Sequence, residues 1–109
     1  MKSNELTQPV LDLVFSVYRT VTKSHWKPNP LEEVRAALEQ QGRFERLAGT
    51  PENWSYRLVI EQKGGNELAI FIEVNPALPE ALRVHGQRVQ ATFNAGLKKE
   101  FHSRGIEWD

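Results

Sequence analysis

The sequence predicts one small α+β domain spanning residues 1–109: two N-terminal helices, a three-stranded antiparallel meander and a long C-terminal helix. This ααβββα order leaves room for a short terminal strand. Three observations carry the reading. Two runs rich in β-branched and aromatic residues, 55–63 and 67–74, flank Gly64-Gly65-Asn66 and read as a hairpin. Asn29-Pro30-Leu31-Glu32 has the form of a helix start, and apolar residues recur at helical spacing both early and late in the chain.

Residues 1–7 are mostly polar and read as a flexible lead-in. Val10, Val14, Val17, Tyr18 and Val21 then recur at the helical period, which predicts a first helix over 10–21. Leu11, Leu13 and Phe15 widen its apolar surface beyond one stripe, as expected of a helix covered on more than one side. A strand is the competing assignment, because β-branched residues are frequent and Leu11, Leu13, Phe15 and Val17 alternate.

Residues 24–30 break the pattern. For the second helix, Asn29 is the expected N-cap, Pro30 the first helical residue, and Glu32 follows the cap by three. Leu31, Val34 and Leu38 form its buried stripe, Arg35 and Glu39 are spaced to pair, and Gly42 is placed to end it. Residues 43–47 read as a first strand, and Gly49-Thr50-Pro51-Glu52-Asn53 as the turn after it.

The hairpin selects its own register. A three-residue loop pairs Lys63 with Glu67, Ile60 with Ile70, Leu58 with Ile72 and Tyr56 with Val74 on one face. The other face pairs Arg57 with Glu73 and Val59 with Phe71. A two- or four-residue loop would instead set apolar residues against charges. One face is thus fully apolar, and the other is an apolar pair ringed by charge. After Val74, Asn75-Pro76-Ala77-Leu78-Pro79 stops the sheet. Leu82, Val89, Phe93, Leu97 and Phe101 then predict a long helix ended by Gly105. Gly86 and Gly96 near that stripe predict kinks or close approaches of another backbone.

Composition narrows function. Lys plus Arg and Asp plus Glu number 14 each, so no global charge drives binding to nucleic acid or anionic membrane. Cysteine is absent, which excludes disulfides, thiolate nucleophiles and cysteine-ligated metal, and suits a cytoplasmic protein. The first apolar segment is interrupted by Asp12 and Arg19, too polar for a membrane span. His25, His85 and His102 lack metal-ligand spacing, and Lys63-Gly64-Gly65-Asn66 lacks the helix start of a phosphate loop. No catalytic residue, metal or cofactor is assigned, and the chain reads as a non-enzyme.

Glu61-Gln62-Lys63 has an acid-x-Lys form, Pro51-Glu52 stands upstream, and Gln87 and Gln90 lie in the last helix. With the order helix, three strands, helix, this resembles the core of the PD-(D/E)xK nuclease family across residues 31–108. That family has the acid-x-Lys strand directly before the helix, whereas here that strand carries Glu73-Val74-Asn75. The resemblance therefore implies at most a degenerate relative. The outline is also similar to that of the double-stranded-RNA-binding domain. Pro76-Ala77-Leu78-Pro79-Glu80 stands where that family has its lysine cluster.

The expected function is a non-catalytic binding or adaptor module that takes a protein partner or a second copy of itself. Val59, Phe71, Arg57, Glu73 and Trp54 are its expected contact residues, with Trp26 and Trp108 as further aromatic anchors. The alternative is nucleic-acid binding through Arg83, Arg88, Lys98, Lys99 and Arg104 of the last helix.

Overall fold

The computed structural model describes residues 1–25 and 27–106. The elements are α1 (Gln8–Thr22), α2 (Leu31–Gln41), β1 (Arg43–Thr50), β2 (Asn53–Gln62), β3 (Leu68–Val74) and α3 (Glu80–Ser103). This is the expected ααβββα order, with the strands forming an antiparallel sheet ordered β1-β2-β3. Trp26 and residues 107–109, and with them Trp108 and the expected terminal strand, lie outside the described residues.

The β2–β3 register is the one that the side chains select: Tyr56 opposes Val74, Leu58 Ile72 and Ile60 Ile70, while Arg57 opposes Glu73 and Val59 Phe71. The Lys63 N–H donates to the Glu67 carbonyl at 2.7 Å, closing a loop in which Gly65 takes φ +70°. Leu58, Ile60, Ile70 and Ile72 are buried on the inner face under the helices.

α1 is a helix because its buried residues, Leu11, Val14, Phe15 and Tyr18, fall at i, i+3, i+4 and i+7. The Thr7 hydroxyl caps it by accepting from the Val10 N–H at 3.4 Å. Phe15 meets Phe44 of β1 edge-on at 6.2 Å, and Tyr18 meets Tyr56 of β2 and Phe93 of α3 at 6.5 and 6.2 Å. α2 packs over β1 and α3 over β3, so all three helices share the inner face.

Four local expectations are corrected. Residues 1–7 are not a free lead-in: Lys2 bridges Glu67, and Met1 and Leu6, the two apolar residues in the segment, are both buried. α2 is capped at Pro30 rather than Asn29, because the Asn29 Oδ1 accepts from Arg46 and Gln8 Oε1 receives the Leu31 N–H at 3.0 Å. Arg35 donates to the Leu6 carbonyl at 2.9 Å instead of pairing with Glu39. A half-buried carbonyl is a stronger claim on the guanidinium than an exposed i,i+4 pair worth a few tenths of a kcal/mol, roughly 0.2–0.5. Leu82 is 51% exposed although it lies in line with the buried stripe, because that stripe meets the sheet only from Gly86 onward.

Gly86 and Gly96 mark close approaches of side chains rather than of another backbone. A Cβ on Gly86 would lie 2.8 Å from Cγ1 of Val74, and one on Gly96 would lie 3.3 Å from Cγ1 of Val17. α3 ends as expected near Gly105, φ +71°, where the Ile106 N–H returns to the Phe101 carbonyl at 2.9 Å.

Candidate interaction face of the sheet

Alternation along three registered strands places Arg43, Glu45 and Leu47 beside Glu61, Val59 and Arg57, and these beside Ala69, Phe71 and Glu73, on the face away from the helices. Val59 is central, with Glu45 opposite on one side and Phe71 on the other.

Charged side chains close a ring around it. Arg43 bonds Glu45 at 2.6 Å and Glu73 at 2.7 Å, and Arg57 bonds Glu45 at 3.1 Å and Glu73 at 2.8 Å. Two arginines and two glutamates thus alternate in a four-membered cycle. Glu61 joins it through Arg43 at 2.8 Å, and Lys63 reaches Glu61 at 3.1 Å. Lys63 is therefore registered with Glu67 through the backbone but neutralises Glu61 with its side chain.

The ring alters the expected exposure of the apolar pair. Val59 has 0% of its surface exposed and does not belong to the helix-side core. It lies inside the ring of long side chains whose heads are tied to one another across the face, and aliphatic stems of that kind shield apolar surface. Phe71 is half-buried. The expected apolar island is a sealed Val59 with Phe71 and Leu47 at its margin.

Trp54 reaches this face by a bulge. Ala48 pairs with Tyr56, but Gly49 pairs with Trp54, so Ser55 is an extra residue in β2. Strict alternation from Tyr56 would send Trp54 to the helix side, and the inserted residue turns it outward. The Arg57 guanidinium then sits 4.5 Å from the Trp54 ring centroid, which holds Arg57 from below while Glu45 and Glu73 hold its edges. Gly49 makes room: its φ is +113°, and a Cβ there would lie 2.6 Å from the Asn53 carbonyl oxygen.

Burial alone would raise the Glu73 carboxyl, but hydrogen bonds and charge from Arg43 and Arg57 outweigh it and hold Glu73 below its usual value. The Glu73 hydrogen bond raises Arg43 in turn, against the burial that would lower it. Glu73 and Arg43 thus each hold the other in its charged form.

The structure brings together Trp54, Arg57, Val59, Phe71 and Glu73, and adds Arg43, Glu45 and Leu47, which the reading of the hairpin alone missed. Their place is set by the β1–β2 register, which pairs Glu45 with Val59, Arg43 with Glu61 and Leu47 with Arg57 and which the bulge at Ser55 shifts, so local spacing in the hairpin does not reveal it. The nuclease-like residues are not gathered. Glu61 lies in the outer-face network, Gln90 donates to the Ile72 carbonyl at 2.8 Å, and Glu52 sits in the turn at the other end of β2, roughly 30 Å of extended chain from Glu61.

The basic residues of α3 are exposed but divided. On an ideal helix Arg83 and Lys98 lie about 60° apart, Arg88 and Lys99 lie about 80–160° from them, and Arg104 bonds Glu100. Among the described residues no three His, Cys, Asp or Glu side chains are grouped to hold a metal, and no helix is long and apolar enough to cross a membrane. No family model, curated protein or solved structure matches this chain.

Proposed function

We propose that this chain is a non-catalytic binding module that engages a protein partner, or a second copy of itself, through the outer face of its sheet. The observation that supports it is the ion-pair ring around Val59, bordered by half-buried Trp54, Phe71 and Leu47, on a face that α1, α2 and α3 leave uncovered. Side chains already tied in the free protein lose little further entropy on binding, and Trp and Arg are both enriched among the residues that anchor interfaces. The absence of cysteine accords with a cytoplasmic site of action.

Light scattering after size exclusion tests this. The protein is expected to show a mass above 12.5 kDa that rises with concentration, and Phe71→Glu, at a half-exposed position, is expected to return it to monomer with the fold intact. A folded Phe71→Glu variant that associates as before removes this face from consideration. The second reading rests on the exposed basic residues of α3. Salt-sensitive retention of DNA or RNA, lost when Arg83, Arg88, Lys98 and Lys99 are neutralised, would favour it instead.

A further inference from the structure

The C-terminal end of α1 carries a second feature. From residue 13 to residue 31 the chain has no Asp or Glu, although acids and bases balance over its whole length. The same stretch holds Arg19, Lys23, His25 and Lys27, and Arg46 of β1 joins it by donating to the Lys27 carbonyl at 3.2 Å. Among the described residues no ion pair reaches Arg19, Lys23 or Lys27. A helix C-terminus attracts cations, so the exposed Lys23 needs no further cause. Arg19 is different. It is half-buried, and its Nε is sunk below the surface with no hydrogen-bond partner. Buried polar groups are nearly always paired, and charged ones above all, so this guanidinium is short of an acceptor.

The surroundings of Arg19 decide which acceptor suits it. Helical spacing puts Ser16, Arg19 and Thr20 on one flank of α1. Lys23, the C-cap, takes the left-handed conformation at φ 57°, and the Ser24 N–H then donates to the Arg19 carbonyl at 3.1 Å. The chain so turned brings Ser24 and His25 back to that flank, and the five residues line an open pocket with no carboxylate. At about 270 Å³ it is smaller than the roughly 300–1,000 Å³ that takes a whole organic ligand, so it fits a single group.

The hydroxyl hydrogens sort the donors. Thr20 donates to the Ser16 carbonyl at 2.9 Å and Thr22 to the Tyr18 carbonyl at 2.7 Å, which leaves the Thr22 oxygen to accept from Ser24 at 2.7 Å. The fork of Arg19, the Ser16 hydroxyl and the His25 ring remain to serve a ligand. A planar carboxylate is satisfied by a guanidinium alone, whereas donors from three side chains lining one pocket match the tetrahedral oxygens of phosphate. Lys23, four residues after Arg19, adds the second positive charge that suits a dianion. Because the pocket is open, the organic part of an ester can extend into solvent. We infer that the pocket at the C-terminal end of α1 binds the phosphate group of a monoester, with Arg19 as its fork and Ser16 and His25 as flanking donors.

This pocket shares no residue with the outer face of the sheet, so either reading can fail without the other. The intact protein, labelled with nitrogen-15, is titrated with glycerol phosphate at constant ionic strength, and with inorganic phosphate and acetate for comparison. Saturable shifts of the Ser16, Arg19, Ser24 and His25 amides are expected, with a Kd for glycerol phosphate on the order of 1 mM. Arg19→Gln should weaken binding about tenfold or more. Ser16→Ala and His25→Gln, both at exposed positions, should each weaken it about threefold, while Lys2→Gln leaves it unchanged. Absence of saturable shifts, an equal response to acetate, binding of inorganic phosphate but not of the ester, or binding untouched by Ser16→Ala and His25→Gln would overturn the inference.

Discussion

Gly49→Ala probes the bulge that brings Trp54 to the outer face. At φ +113° any L side chain is strained, at a cost of about 1–3 kcal/mol. The new Cβ would also lie 2.6 Å from the Asn53 carbonyl oxygen and 3.1 Å from Cα of Trp54. Both neighbours are backbone and cannot rotate away, so separating them costs roughly 1–3 kcal/mol more. The narrower unfolded ensemble of alanine returns about 0.4–1 kcal/mol. The net expectation is a loss of about 1–5 kcal/mol, which for a domain of this size lowers Tm by roughly 4 °C or more. Urea unfolding followed by circular dichroism measures it. Gly64→Ala is the control, because a Cβ there meets nothing within 4 Å, and it should stay within about 0.5 kcal/mol of the parent. A Gly49→Ala variant as stable as Gly64→Ala would refute the bulge geometry, and with it the placement of Trp54.

Gly86→Ala sets helix propensity, a gain of about 1 kcal/mol, against a 2.8 Å contact with the stiff Val74 side chain, so a net loss of roughly 1–2 kcal/mol is expected. Adding Val74→Ala should recover part of the contact penalty in a double-mutant cycle, and additivity of the two changes would count against the close approach. Glu73→Gln tests the ring. Glu73 titrates below its unfolded value, so its contribution is present above about pH 4.3 and is lost as pH falls through its folded pKa. The parent should exceed the variant by on the order of 1 kcal/mol at pH 7, with the gap closing below pH 4; a gap independent of pH would show that Glu73 carries no such linkage.

How much was legible differs from element to element for physical reasons. The β2–β3 register could be read because a shift by one residue would have put Glu61 opposite Leu68, a penalty visible in residue types alone. The N-terminal segment could not, because Met1 and Leu6 are too few to make a pattern and their burial depends on an edge that only the folded sheet supplies. Asn29 illustrates a competition that propensity cannot rank: its side chain is a good cap, and Arg46, seventeen residues on, claims it first.

The outer face shows the same division. From residue types and period alone came the ααβββα order, the apolar inner face, and the choice of Arg57, Val59, Phe71 and Glu73 as neighbours, because these follow from local spacing. Only the tertiary structure decided that Val59 is sealed rather than exposed, that Arg43 and Glu45 complete the ring, and that Trp54 faces outward. Those outcomes depend on side chains meeting across three strands and on one inserted residue at Ser55, contacts between positions whose separation in the chain gives no sign of them.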